Sequence, residues 1–184
     1  MNDDLTSLSG MLDAIWSRVD QSTNEQAGPA RNVFLATQAK NRGASVRTVI
    51  LRGADREENA LTFWTNRASG KVADLTADPR AEALIWDDGT NLQVRLGLEA
   101  TLSDGSPEVW ASLGAGSRCN YAKWPEPGAP LSKPEDFQPE PAFEMFVVIT
   151  ASILWIDALY LGPDLHRRAR FPDGKLTGAM WIAP

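Results

Sequence analysis

The sequence predicts a mainly β protein with a minority of helix, closed as a barrel rather than laid out as a doubly wound sheet. From Asn32 onward it breaks into short runs rich in Val, Ile, Leu, Phe and Trp, separated by Gly, Asn and Asp clusters, which is the pattern of strands and turns. Three segments carry helical signals, too few to cover both faces of a parallel sheet. With 184 residues, 43% of them hydrophobic and 23% charged, the chain is long and apolar enough to fold as a single domain, 1–184, around a core.

Leu5, Leu8, Met11, Leu12, Ile15, Trp16 and Val19 recur at helical spacing, so residues 1–28 read as one amphipathic helix and its loop. Asp3 and Asp4 are expected in an acidic first turn, and Gly28-Pro29 closes the loop. Strands follow at 32–37 and 45–52, flanking Lys40-Asn41-Arg42-Gly43 as a hairpin, then at 60–65, 81–87, 92–103, 142–152, 154–161 and 175–182. Ser69 is expected to cap a short helix ending before Asp78-Pro79, and Ser106-Pro107 opens another that runs to about Leu113. Residues 114–141 break both periodicities and carry six of the twelve prolines. They read as a long loop, either a lid or a connector.

Composition excludes several classes. The net charge of -6 repels a phosphate backbone, so no nucleic acid is expected as partner. Single Cys119 and His166 leave no intrachain disulfide and no Cys/His zinc set, and no metal is expected. The longest uncharged stretch, Met145 to Ile156, has 12 residues against the ~20 of a spanning helix. Without a membrane segment or a leader at the Met1-Asn2 end, a cytoplasmic location is the expectation. No Gly-x-Ser-x-Gly elbow, GxGxxG turn or Walker loop occurs, so phosphate binding falls to side chains.

Those side chains sit on consecutive elements: Arg47 and Arg52 bracket Thr48-Val49-Ile50-Leu51, and Thr65, Ser69 and Lys71 follow. An odd separation puts Arg47 and Arg52 on opposite faces of a regular strand. An arginine, Lys71 and the amides opening the Ser69 helix can hold an oxyanion; the alternative is a set of solvated charges. Tyr121, Trp124 and Arg118 either cover a flat ring or anchor the loop to the barrel. Cys119 sits beside Arg118 without a resolving partner.

Arg47-Thr-Val-Ile-Leu-Arg52, Phe63-Trp64-Thr65-Asn66, Ser69-Gly70-Lys71, Asp78-Pro79-Arg80-Ala81 and Gln93-Val94-Arg95 closely resemble the ordered motifs of the pyridoxamine 5'-phosphate oxidase family. Leu165-His166-Arg167-Arg168 and Trp181-Ile182-Ala183-Pro184 are similar to its closing motif, and the resemblance spans about residues 31–104 and 155–184. It implies a six-stranded antiparallel split β-barrel (mainly β, α+β by helix content) with an N-terminal helix and short peripheral helices. It further implies a homodimer holding FMN at its interface. Carried over residue by residue, the FMN contacts fall on Arg47, Thr48, Val49, Ile50, Leu51, Arg52, Trp64, Thr65, Ser69, Gly70, Lys71, Gln93, Tyr160 and Arg168.

This chain departs from the family in three places. Gly70 replaces the arginine of the family's Ser-Arg-Lys turn, and Asp164 stands where the oxidases place a substrate-binding arginine. Little remains of the substrate-phosphate motif at Trp110, Gly114 and Arg118. Oxidation of a vitamin B6 phosphate is therefore not expected. What the resemblance implies is an FMN flavoprotein of the oxidase-related branch, an oxidoreductase acting on an unidentified small molecule, with His166 as proton donor or else a structural histidine. The alternatives are a non-catalytic flavin-binding or storage protein, or a barrel that has switched to haem, deazaflavin or another anion.

Overall fold

A computed structural model describes residues 3–24, 28–40 and 43–184. Its strands are β1 (Asn32–Ala39), β2 (Gly43–Asp55), β3 (Ala60–Asn66), β4 (Arg80–Asp87), β5 (Leu92–Asp104), β6 (Ala122–Trp124), β7 (Glu140–Pro141), β8 (Phe146–Leu161), β9 (His166–Pro172) and β10 (Met180–Ile182). The α-helices are α1 (Leu8–Asn24), α2 (Gly70–Ala77), α3 (Pro107–Ser112) and α4 (Ala115–Arg118).

Alternation sets the inside of the barrel. On β1, Val33, Leu35, Thr37 and Ala39 are buried while Asn32, Phe34 and Gln38 face out, as period-two geometry requires. Antiparallel pairing joins β3-β2-β1-β4-β5, and β8 closes the ring by pairing with both β5 and β3. The result is a six-stranded split barrel. Closure depends on the 16-residue length of β8. Its first part takes β3, from Asn66↔Phe146 to Ala60↔Ser152. Beyond the end of β3, its second part takes β9, from Trp155↔Pro172 to Leu161↔His166. Val33, Leu35, Leu51, Phe63, Ile85 and Leu96 lie in the core.

α1 lays Met11, Leu12, Ile15, Trp16 and Val19 into the same core. Arg18 latches it down, donating to Asp87 (2.6 Å), Asp3 (2.7 Å) and Thr90 (2.9 Å). The helix starts later than its acidic residues: Ser7 Oγ accepts from the Gly10 amide at 3.0 Å. Asp4 instead binds the Thr6 amide and the Ser7 hydroxyl in the turn before it, so no acid occupies the first turn. The side chain of Ser106 caps α3 as expected, accepting from the Val109 amide at 3.1 Å.

Four expectations need correction. The strands at 142–152 and 154–161 are one strand, β8, because it absorbs the bend in a bulge at Leu154, skipped between the pairs Ile153↔Leu98 and Trp155↔Gly97; residues 143–145 form a 3-10 turn instead. The strand at 175–182 shrinks to β10, since positive φ at Asp173 (52°), Gly174 (63°) and Gly178 (74°) breaks the extended run before it. Arginines on both faces of the sheet mask the alternation of β9 from sequence reading. Residues 114–141 are structured in part, holding α4, two 3-10 turns and the β6–β7 pair. The Asn41-Arg42 turn and Met1-Asn2 lie outside the described residues. No helix among the described residues is long and apolar enough to cross a membrane.

Candidate functional site

The α2 helix packs against β1 and β5, and its first two turns gather polar groups from three strands. Lys71 Nζ donates to Thr65 Oγ1 at 3.0 Å, and that hydroxyl lies 3.1 Å from Ser69 Oγ. Ser69 occupies the N-cap position, but its side chain caps no amide, which corrects the expected capping role: the hydroxyl is turned toward Thr65. Arg47 Nη1 donates to Thr37 Oγ1 at 2.7 Å and to the Leu35 carbonyl at 3.2 Å. Its Nη2 donates to Ser45 Oγ at 2.9 Å and to Asp74 Oδ2 at 3.2 Å. Burial lowers the Lys71 pKa from its ordinary value, and the charge of Arg47 lowers it further. Two cations and buried hydroxyls thus converge where the carboxylate of Asp74 is already engaged, an arrangement that an oxyanion relieves.

Beside this cluster β2 is open. The β2–β3 ladder runs from Leu51↔Phe63 to Asp55↔Ala60 and does not extend over Thr48, Val49 and Ile50. Backbone polar groups of that stretch on the β3 side therefore lie outside the ladder, next to Arg47. Val49 is buried, so what it offers a ligand is main chain, whereas Leu51, also buried, is already in the ladder and gives its amide to the Arg31 carbonyl. The parity argument holds: Arg47 bonds inward to Thr37, whereas Arg52 lies outside with its guanidinium 4.9 Å from the Trp64 ring centroid. At Gly70 a β-carbon would meet nothing within 4 Å, so the position of the family's lost arginine is open space.

Gln93, His166 and Arg168 gather elsewhere, on β5-β8-β9, whereas Tyr160, paired with buried Leu92 and with Arg167, lies on the opposite face against the core, which corrects its expected place beside Gln93 and Arg168. Gln93 pairs with Leu159 and Leu159 with Arg168, which sets Gln93 and Arg168 on one face of the sheet. Arg168 is held by Asp157 through two 2.9 Å bonds, which raise its pKa. His166, Arg168 and Trp181 help to line a cleft of about 320 Å³. Tyr160 carries the Arg167 guanidinium 5.9 Å from its ring centroid.

The loop aromatics divide. Tyr121 is 4% exposed, its ring 4.8 Å from Phe146 and 6.0 Å from Trp110, and Arg118 donates to the carbonyls of Trp110 and Ala111. Both anchor the loop, while Trp124 is 64% exposed. Sequence reasoning missed Asp74 and Asp157, the carboxylates that hold the two arginines. Asp157 did leave a signal, as the charge that ends a long uncharged strand. Among the described residues no cluster of His, Cys, Asp or Glu is able to hold a metal ion.

The family model described as the FMN-binding domain of pyridoxamine 5'-phosphate oxidase matches residues 13–104, half of the chain. The chain belongs to this family. FMN is accordingly its cofactor, and the donor set fits: two cations with hydroxyls for a phosphate, beside an open strand edge for a planar ring. A pyridoxine/pyridoxamine 5'-phosphate oxidase from Cupriavidus pinatubonensis is 34% identical over 101 residues, 54% of this chain and 47% of that protein. Another from Deinococcus deserti is 46% identical over 61 residues, 33% and 28% of the two chains. The chain thus spans less than half the length of these curated relatives. Among solved structures, a pyridoxamine 5'-phosphate oxidase-related FMN-binding protein from Nostoc punctiforme superposes with a TM-score of 0.74 at 24% identity, covering 97% of this chain and 100% of that one. PhzG from Burkholderia lata, solved with tetrahydrophenazine-1-carboxylic acid, gives 0.71 at 19%, covering 99% and 95%. At those identities the two structures speak for the fold alone.

Proposed function

We propose that this family member is an FMN-dependent oxidoreductase of a small molecule, with each flavin seated between two copies of the chain. The observation that carries the reading is the convergence of Arg47 and Lys71 with Thr65 and Ser69 beside the unpaired stretch of β2. Arg47, Lys71 and the two hydroxyls bind the phosphate, and Thr48 to Ile50 address the ring through main chain. Arg52 and Trp64 stack outside the same stretch, and the open space at Gly70 admits the cofactor's approach. Bound FMN supplies hydride transfer, while the protein supplies orientation, electronics and access.

Topology supports a site built from two copies. In the ring β2-β1-β4-β5-β8-β3, β2 and β5 stand opposite each other. Gln93 points outward between buried Leu92 and Val94, away from β2. On this reading a single flavin meets both motif sets when Gln93 and Arg168 come from a second copy. Phe34, Val46, Ile50 and Trp86, 38–63% exposed on β1, β2 and β4, form the apolar surface for that copy. His166, on the cleft with Arg168, holds a proton at its imidazole for substrate or reduced cofactor. Arg118 is committed to α3 carbonyls, and Asp164 adds a carboxylate before β9. Both features argue against a phosphorylated B6 substrate.

The test is the visible spectrum after FMN is added and the excess removed, followed by an anaerobic screen of electron donors. Retained flavin that one donor bleaches is the expected result. Protein that retains no flavin overturns the reading, and retained flavin that no donor reduces makes the chain a flavin carrier.

A further inference from the structure

The outer face of β5-β8-β9 carries a grid of side chains that flavin contacts alone do not explain. One row runs Gln93, Leu159, Arg168 and the next Arg95, Asp157, Arg170. Asp157 therefore has an arginine directly opposite on each side and binds a third, Arg168, at the diagonal through two 2.9 Å bonds. It is 4% exposed between Ile156 and Ala158, which are fully buried. Arg95 turns instead to Glu82 at 2.7 Å. Arg95 and Arg170 lie over the Trp155 indole at 5.6 and 5.5 Å. Arg168 alone takes the full carboxylate, and of the three it alone belongs to the row that would meet the flavin.

A carboxylate this buried is costly unless it is paired, and an aliphatic residue would suit a strand core better. Its geometry is that of a two-point clamp: a bidentate pair fixes the plane of the guanidinium as well as its position. The pair also offsets the charge that Arg168 would otherwise present. Two-electron reduction adds negative charge to an isoalloxazine at neutral pH, so an uncompensated cation beside the ring favours the reduced form, and neighbouring charge is one of the ways a protein tunes a flavin.

Resting on the flavin reading above, we propose that Asp157 is a positioning residue that aims Arg168 at the flavin and, by neutralising it, holds the reduction potential of the bound flavin down. It touches no cofactor itself and acts through Arg168. The neighbouring charges reinforce the sign: Arg95 is offset by Glu82, so loss of the Asp157 carboxylate uncovers Arg168 and Arg170 together.

The experiment measures the potential of bound FMN by dye equilibration, with FMN affinity measured in parallel, for the wild type, Asp157→Asn and Asp157→Glu. Asparagine keeps the shape and loses the charge. Asp157→Asn is expected to raise the affinity for reduced over oxidised flavin by about tenfold, the order expected for one charge at short range in a partly screened site. For a two-electron couple that is about 30 mV upward. Asp157→Glu is expected to stay near the wild type, which a merely structural role does not predict. Wild-type protein that retains no FMN overturns the flavin reading and this proposal with it. Retained FMN with an unchanged potential in Asp157→Asn overturns the role of Asp157 and leaves the flavin reading intact. Should Asp157→Asn fail to fold, Arg168→Gln takes its place: it removes the cation nearest the ring and leaves the carboxylate without its two-point partner, so it is expected to lower the potential, and an unchanged potential there overturns the proposal equally.

Discussion

The Lys71 ammonium donates to the Thr65 hydroxyl across 3.0 Å while burial, and after it the charge of Arg47, lowers its pKa. Nearby cations normally separate, and α2 holds this pair together by anchoring Arg47 to Asp74. A phosphate gains from both. Lys71→Met is expected to weaken FMN binding by about ten- to a hundredfold, the worth of one charge-assisted hydrogen bond of roughly 1.5–3 kcal/mol. Binding of riboflavin, which lacks the phosphate, should change far less. Titration by quenching of flavin fluorescence checks both, and equal losses for the two ligands would remove Lys71 from the phosphate end.

The same lysine predicts a pH dependence. Its pKa in the folded chain lies below the ordinary 10.5, so where it titrates the unfolded chain binds more protons than the folded one. Stability then rises with pH, because the penalty of a charged, buried Lys71 disappears. The gain begins as pH passes the lowered folded value and is complete above 10.5. Urea midpoints of cofactor-free wild type and Lys71→Met should therefore converge as pH rises toward that limit. A gap that is constant or widens contradicts the sign.

Gly97 and Trp155 face each other where β8 bulges at Leu154 against β5. A β-carbon on Gly97 would lie 2.1 Å from the indole, so the ring occupies the space a side chain would need. Gly97→Ala is expected to cost about 1–3 kcal/mol as overpacking. Combined with Trp155→Leu it should cost less than the sum of the single changes, since neighbours couple. Urea denaturation of the four proteins in the cycle measures this, and strict additivity would show that the indole moves aside freely.

Sequence pattern reached the faces of strands but not their neighbours. The opposite aims of Arg47 and Arg52 follow from an odd spacing on one strand, and the structure bears that out. β8 reads as two strands because nothing local reveals that one strand serves β3 with its first part and β9 with its second. β9 carries no strand pattern in the sequence because His166, Arg167, Arg168 and Arg170 leave only Ala169 and Phe171 as buried signals. Asp74 and Asp157 reach their arginines 27 and 11 residues away, a pairing set by register and helix placement rather than by local spacing. The grouping of Arg47, Thr65, Ser69 and Lys71 was legible because ordered motifs, matched as a set, carry tertiary proximity that periodicity does not.

Ile50 tests the two-copy site. It is 38% exposed, opposite Asn32 and on the stretch of β2 that the β3 ladder leaves uncovered. A charge there has ample water in a monomer and none in a packed apolar interface, so Ile50→Arg should leave the barrel folded but oppose association. Light scattering after size exclusion is expected to show the wild type as a dimer and Ile50→Arg as a monomer, with circular dichroism unchanged. Flavin should be lost with the dimer, because Gln93 and Arg168 of one copy no longer meet Arg47 and Lys71 of the other. A folded Ile50→Arg monomer that still binds FMN at wild-type affinity would place the whole site within one chain, against the opposed positions of β2 and β5.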